Sequence, residues 1–350
     1  GEIGLNFAIS GTLSKPKLVG NAQLKNASLQ IPRLGLNINE LSLKSQSDGL
    51  EKLDFQLAAQ SGEGHISIQG QTVLNSLAGW PTTLNVKGEK FEASHIPVSH
   101  LLVSPDLKIK LQKRTINVSG TVHIPYAKLN PKDITTAAKI SDDTQIINGD
   151  QVLEEKWLIH TKVRLTLGER VHFYGFGFDG RFTGNLLLQD EPGQLTKAVG
   201  EINVPEGRYV AYGQNLQVEH GRLLYTNGPI TNPGLDLRAV RQVGSITAGL
   251  KVRGTLNQPK IELFSNPVMG QTDTLAYLLL GRPIENATGE DGEMMAKAAL
   301  ALSIAGGDSL ARKLGARFGL DEMRIESSES GEQASLIIGR YLSPKLYVGY

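Results

Sequence analysis

Through most of its first 270 residues the chain alternates apolar and polar side chains with period two. His65-Ile66-Ser67-Ile68-Gln69, Leu107-Lys108-Ile109-Lys110-Leu111, Thr115-Ile116-Asn117-Val118-Ser119, Val163-Arg164-Leu165-Thr166-Leu167 and Leu250-Lys251-Val252-Arg253 show it most clearly. Successive side chains of a strand point to opposite faces, so each run predicts a strand with one apolar and one polar face. Turn-forming groups such as Asn227-Gly228-Pro229 and Asn257-Gln258-Pro259 cut the runs into strands. The expectation is a mainly β protein: a long antiparallel-type sheet over 1–270 with one apolar and one polar face, which either folds back on itself or curls. Its alternation fades in a polar excursion at about 130–155.

From Gln271 the period changes to that of a helix. Thr272 or Asp273 is placed to cap a segment carrying Leu275, Leu278 and Leu279, which Gly281 and Pro283 stop. A second helical stretch is expected from about Glu293 to Phe318, interrupted at Gly306-Gly307. Strand text resumes at Met323, and Leu336 to Tyr341 with Lys345 to Tyr350 predict a last hairpin around Ser343-Pro344. The chain thus reads as a repetitive sheet (1–270), a short helical segment (271–321) and C-terminal strands (322–350).

A weak repeat runs through the sheet. ISGTLSKPKLVG at Ile9 to Gly20 resembles VRGTLNQPKIEL at Val252 to Leu263. A second template has Gly, apolar residues at +2 and +4, a small residue at +7 and Leu or Tyr at +9. It fits the segments that begin at Gly20, Gly120 and Gly200. Both patterns favour growth of the sheet by repetition of a small unit.

Composition narrows the chemistry. There are 36 Lys+Arg against 35 Asp+Glu, a formal charge of +1. That balance excludes a general electrostatic grip on nucleic acid. With no cysteine, thiol catalysis, disulfide scaffolds and Cys-type zinc sites are excluded. Gly175-Phe176-Gly177-Phe178-Asp179-Gly180 spells GxGxxG, but RFTGNLLL follows, a strand where a dinucleotide fold needs a helix; a glycine-rich bend in the sheet is the better reading. Gly307-Asp308-Ser309-Leu310 matches the nucleophile block of one esterase family. All seven histidines lie at or before His220, leaving that serine without the later base such chemistry needs. His65, His95, His100, His123, His160, His172 and His220 show no close metal spacing and read as solvated. Asp142-Asp143 and Glu154-Glu155 lie in the polar excursion. No cofactor, metal or catalytic constellation is expected, and the chain reads as not an enzyme.

An apolar face must be covered. The helices span too little chain to roof the sheet, which leaves a sheet folded back as a sandwich or a trough whose inner face meets an apolar ligand. At about 12 residues per strand and turn, 1–270 gives about 22 strands, and at ~4.8 Å per strand a length on the order of 100 Å. The expected wall is the aliphatic phase of the clearest strands: Ile66, Ile68, Leu107, Ile109, Leu111, Ile116, Val118, Val163, Leu165, Leu167, Leu250 and Val252. The alternative for each is ordinary sandwich core.

GQTDTLAYLLLGRP at Gly270 to Pro283 resembles the signature segment of the TamB family, AsmA-like bridge proteins of the translocation and assembly module of Gram-negative bacteria. GRLLYTNGPITNPGLDLRA at Gly221 to Ala239, VRGTLNQPKIELFS at Val252 to Ser265 and LIIGRYLSPKLYVGY at Leu336 to Tyr350 are similar too. The resemblance is specific over about 195–350 and diffuse upstream. It implies a taco-shaped β-groove reaching across the periplasm, anchored in the inner membrane by a part outside this chain. The sequence opens at Gly1 and closes inside strand text, as a C-terminal portion would. It also implies docking on TamA, an outer-membrane barrel, for which the terminal hairpin residues Leu336, Ile338, Tyr341, Leu346 and Val348 are the candidates. Two roles follow from the resemblance: conduction of phospholipid toward the outer membrane, and assistance to nascent outer-membrane proteins, autotransporters among them. The alternation supplies a reason for the first. Each buried CH₂ is worth roughly 0.8 kcal/mol, so a dozen methylenes put about 10 kcal/mol on desorption unless an apolar wall continues to cover them.

Overall fold

The structure is a computed structural model. It describes residues 1–12, 15–49, 51–131, 157–211, 213–286, most of 291–299, and the backbone of 322–327, 334–343 and 346–349. The expected helix beyond 299, the Gly307-Asp308-Ser309-Leu310 block and most of the polar excursion lie outside the described residues.

Two compact units emerge, one comprising Gly1–Pro205 with Leu223–Pro233, the other Glu206–Arg222 with Gly234–Tyr350. Unit 1 holds β1 (Glu2–Gly11), β2 (Pro16–Ile31), β3 (Leu36–Asp48), β4 (Lys52–Ser61), β5 (Gly64–Val73), β6 (Thr82–Glu89), β7 (Phe91–Ile96), β8 (Ser99–Gln112), β9 (Thr115–Leu129), β10 (Leu158–Gly175) and β11 (Phe178–Asp190). β12 (Lys197–Ala211) and β13 (Gln214–Pro229) are divided between the units. Unit 2 adds β14 (Gly234–Val243), β15 (Ile246–Thr255), β16 (Gln258–Asn266), helix α1 (Gln271–Leu279), and β17 (Glu322–Ser327), β18 (Ala334–Ser343) and β19 (Leu346–Gly349).

The first 16 strands make one sheet in chain order that does not close into a barrel; β7 alone leaves the path and pairs with β8. Fewer strands than the expected ~22 appear because the strands are long, reaching 18 residues in β10. Among the strand pairs whose register is described, pairing is antiparallel with one exception. β10 runs parallel to β9, with Val163 opposite Gly120 and Leu165 opposite Val122. A parallel neighbour needs a connection of a dozen or more residues, and the chain between Leu129 and Leu158 provides that length. The last three strands form a separate antiparallel sheet, β17-β18-β19.

The repeat glycines share one backbone conformation. Gly20, Gly120 and Gly200 have φ of 138°, 132° and 136° in the interior of β2, β9 and β12. A Cβ on Gly120 would stand 2.2 Å from the Asp106 carbonyl oxygen of the neighbouring strand; on Gly20, 2.0 Å from that of Asn6. Only glycine fits such a kink, so the repeat seen in the sequence marks where strands bend and cross closely.

In unit 2 the helix ends where expected and begins differently. Its N-cap is Gly270, not Thr272 or Asp273. Thr274 turns its hydroxyl back on the Gly270 carbonyl at 2.9 Å, and Asp273 sits in the first turn, where a carboxylate suits the positive end of the dipole. Leu275, Ala276 and Leu279 pack with Ile284, Met295, Ala298 and Ala299, and Leu263 of β16 lies against this cluster.

Candidate functional site: the aliphatic face of the sheet

Residues directly opposite in a ladder share a face, so the register fixes what each face carries. In unit 1 one row runs Ile3, Leu24, Leu43, Leu57, Ile68, Val86, Leu107, Gly120, Val163 and Leu188, each opposite the next, from β1 to β11. Shifting each position by one residue gives Gln23, Lys44, Gln56, Gln69, Asn85, Lys108, Ser119, Lys162 and Gln189. One face is therefore a ladder of branched hydrocarbons and the other a ladder of amides and amines. At about 4.8 Å per step the aliphatic row extends roughly 40 Å.

Ten of the predicted wall residues lie on this single face. Ile66 and Ile68 sit on β5; Leu107, Ile109 and Leu111 on β8; Ile116 and Val118 on β9; Val163, Leu165 and Leu167 on β10. Ile109 stands opposite Leu84 and Val118, Leu111 opposite Ile116, Leu165 opposite Val122 and Leu186, and Leu167 opposite Ile124. Only Val163, at 8% exposure, is buried; the other nine are half-buried. A sandwich interior would shut such side chains away. Strand contact in unit 1 runs chiefly between sheet neighbours, with β7 laid also against β3, β4 and β5.

Leu250 and Val252 belong to unit 2. Leu250 stands between Ala239 and Leu263, and Val252 between Leu237 and Ile261. Since Leu263 packs against the helical cluster, this part of the apolar phase has a protein roof. Arg241 fastens it. Its Nη1 donates to the carbonyl of Leu278 at 2.7 Å and of Tyr277 at 3.4 Å, the last turn of α1. Partial burial draws the Arg241 guanidinium below its ordinary pKa.

Sequence reasoning left out the rest of the row. Leu24, Leu43, Leu57, Val86, Leu186 and Leu188 carry the same alternation, in strands whose runs are shorter or interrupted. It also missed an aromatic continuation. Phe173 and Phe182 meet edge-on with centroids 5.9 Å apart, and Phe178 stacks on Phe182 at 5.6 Å. The GxGxxG string is the β10–β11 hairpin: Gly175 faces Phe178, and the turn residues Phe176 and Gly177 have φ of 52° and 79°. A strand follows, as the sequence implies, and Phe176 at the tip is 71% exposed.

The docking candidates are divided between two strands. Leu336, Ile338 and Tyr341 lie on β18, the middle strand, and Leu346 and Val348 on β19, an edge strand. Tyr341 stands opposite Tyr347, and Arg340 opposite Val348. His95 and His100, taken as lacking metal-type spacing, are brought face to face with Glu92 by strand pairing.

The described strands place the chain among mainly β proteins built on a large open sheet, with an aliphatic row on one face of unit 1 and a hydrophilic row on the other. Residues 54–350 match the TamB C-terminal domain, and the chain belongs to that family. It is 26% identical to the translocation and assembly module subunit TamB of Haemophilus influenzae over 371 aligned positions. That alignment covers 100% of this chain and 28% of the relative, so the chain spans under a third of that protein's length.

Proposed function

We propose that the aliphatic face of unit 1 carries phospholipid acyl chains as part of a bridge across the Gram-negative periplasm, anchored in the inner membrane outside this chain. The row from Ile3 to Leu188 carries this reading: apart from Gly120 it is aliphatic at every step, half-buried at most positions and free of charge, while the row behind it is hydrophilic. A wall of Leu, Ile and Val covers methylenes without binding any one lipid, so chains slide while headgroups remain in water. The face performs no bond chemistry. Among the described residues, no helix is long and apolar enough to cross a membrane.

The β17–β19 sheet is the proposed dock for TamA. β19 is an edge strand, and an edge can extend a partner's sheet through main-chain hydrogen bonds. That edge, with the word assembly in the relative's name, also favours a second reading, in which the protein holds segments of outer-membrane barrels, including autotransporters, during insertion.

In-cell photo-crosslinking separates the two. A probe at Ile109 is expected to capture lipid, and one at neighbouring Lys110 to capture none. Protein adducts alone at Ile109 would favour the assembly reading, and equal lipid capture at both positions would sink the one-faced conduit.

A further inference from the structure

We propose that Glu92, His95 and His100 form a binding site for a divalent transition-metal ion, with Zn²⁺ as the matching probe. The three belong to the β7–β8 hairpin of unit 1, where His95 stands directly opposite His100. Their ligand atoms all lie within 4.8 Å of one another. His95 Nδ1 is 2.7 Å and His100 Nε2 3.1 Å from the same carboxylate oxygen, Glu92 Oε1. The two imidazoles are stacked, centroids 4.3 Å apart and planes 13° from parallel, so both present a nitrogen toward that carboxylate. The edge of Tyr126, 4.9 Å from His100, fixes the second ring.

A backbone irregularity makes the cluster. Residues 92 and 95 are three apart and would point to opposite faces of a regular strand. The register of β7 slips between Glu92 and Ser94, so Glu92 faces Leu102 while Ser94 faces Leu101. This extra residue returns Glu92 to the face that holds His95 and His100. A bulge that re-aims one side chain toward two potential ligands is the usual way a sheet builds a site.

The donor set suits the ion. Two imidazoles and one carboxylate are a recurrent N/N/O set for zinc, whose bonds of about 2.0–2.2 Å put tetrahedral ligands roughly 3.3–3.5 Å apart. The 2.7 and 3.1 Å separations fall short of that spacing, so an ion requires Oε1 to retreat by about half an ångström and the near-parallel rings to turn until one ion lies in both planes. Side-chain exposure of 59% for His95, 31% for His100 and 13% for Glu92 leaves a path for the ion and for a water in the fourth position. This site lies on the hydrophilic side of β8, across the sheet from Leu101, and is independent of lipid conduction. Bound metal would clip β7, which leaves the main path of the sheet, to β8.

The test is calorimetric titration of Zn²⁺ into the chelator-stripped chain, with thermal unfolding measured in parallel. One saturable site per chain is expected, weakened at least tenfold in His100→Gln and in Glu92→Gln and unchanged in His123→Gln. Zn²⁺ should raise the unfolding midpoint of the parent and leave that of His100→Gln unmoved. Gln at position 100 keeps a hydrogen bond to Glu92, so a folded variant is available for the comparison. No saturable binding, or binding equal in the parent and in His100→Gln, overturns the site and leaves Glu92 as a carboxylate that only ties two histidines together.

Discussion

Gly120 is held by strands on both sides, opposite Leu107 of β8 and Val163 of β10. Its φ of 132° and the carbonyl oxygen 2.2 Å from the place of a Cβ leave no room for alanine. Gly120→Ala should cost about 1–3 kcal/mol or more, through strain and displacement of β8. Chemical denaturation measures it, with Gly244→Asn as the control: Gly244 has φ of 59° in a turn, nothing lies within 4 Å of its Cβ position, and asparagine accepts that conformation. A second residue prediction concerns acid. A hydrogen bond from Arg222, opposed by desolvation and helped by the Arg222 charge and by His220, holds the Asp236 carboxyl below its usual range. A depressed carboxylate adds stability above the unfolded-state pKa near 3.9 that is lost as pH falls through the folded value. Asp236→Asn should therefore flatten the stability curve below about pH 4. The effect should be below about 1 kcal/mol, because the side chain is 31% exposed and water screens the pair.

At the scale of elements, α1 is held by its carboxyl end. Arg241 lends two hydrogen bonds and a positive charge to the last turn, at the negative end of the helix dipole. Arg241→Ala should cost about 1–2 kcal/mol. Its signature would be faster hydrogen exchange at Leu280 and Gly281, whose amides bond Ala276 and Tyr277, while β2 to β5 are unaffected. Equal acceleration throughout would mean that Arg241 supports more than this helix. The existence of α1, its buried leucines and its stop at Gly281 were legible because they depend on spacing within one turn or two. Its start was not, because Thr274 spends its hydroxyl inside the helix, where a capping rule does not look. Strand faces were legible for the same local reason that alternation shows in any five residues. The parallel β9–β10 pair, the aromatic group at Phe173 and Phe182, and the meeting of Glu92 with His95 and His100 were hidden. Each depends on which strands become neighbours or on a one-residue bulge, and period two records neither.

Across the molecule, what matters is whether the aliphatic row works as one surface. Ile109 and Lys110 are adjacent in sequence, yet Ile109 lies between Leu84 and Val118 while Lys110 lies between Thr83 and Asn117. An arginine at 109 places a charge among branched hydrocarbons, whereas a glutamate at 110 exchanges one solvated charge for another. If acyl chains must pass every strand, one charge on the row interrupts the path wherever it falls. Ile109→Arg, Leu57→Arg and Leu188→Arg, on three separated strands, should then impair phospholipid delivery to the outer membrane to a similar degree, and pairing two of them should add little, as for breaks in series. Lys110→Glu should leave delivery near the parent level. A chaperone surface predicts another pattern, in which each substitution removes part of a distributed contact and the losses accumulate. Isotope-pulse measurement of phospholipid arrival in the outer membrane, scored for the single and double variants at equal protein level, decides between a path and a patch.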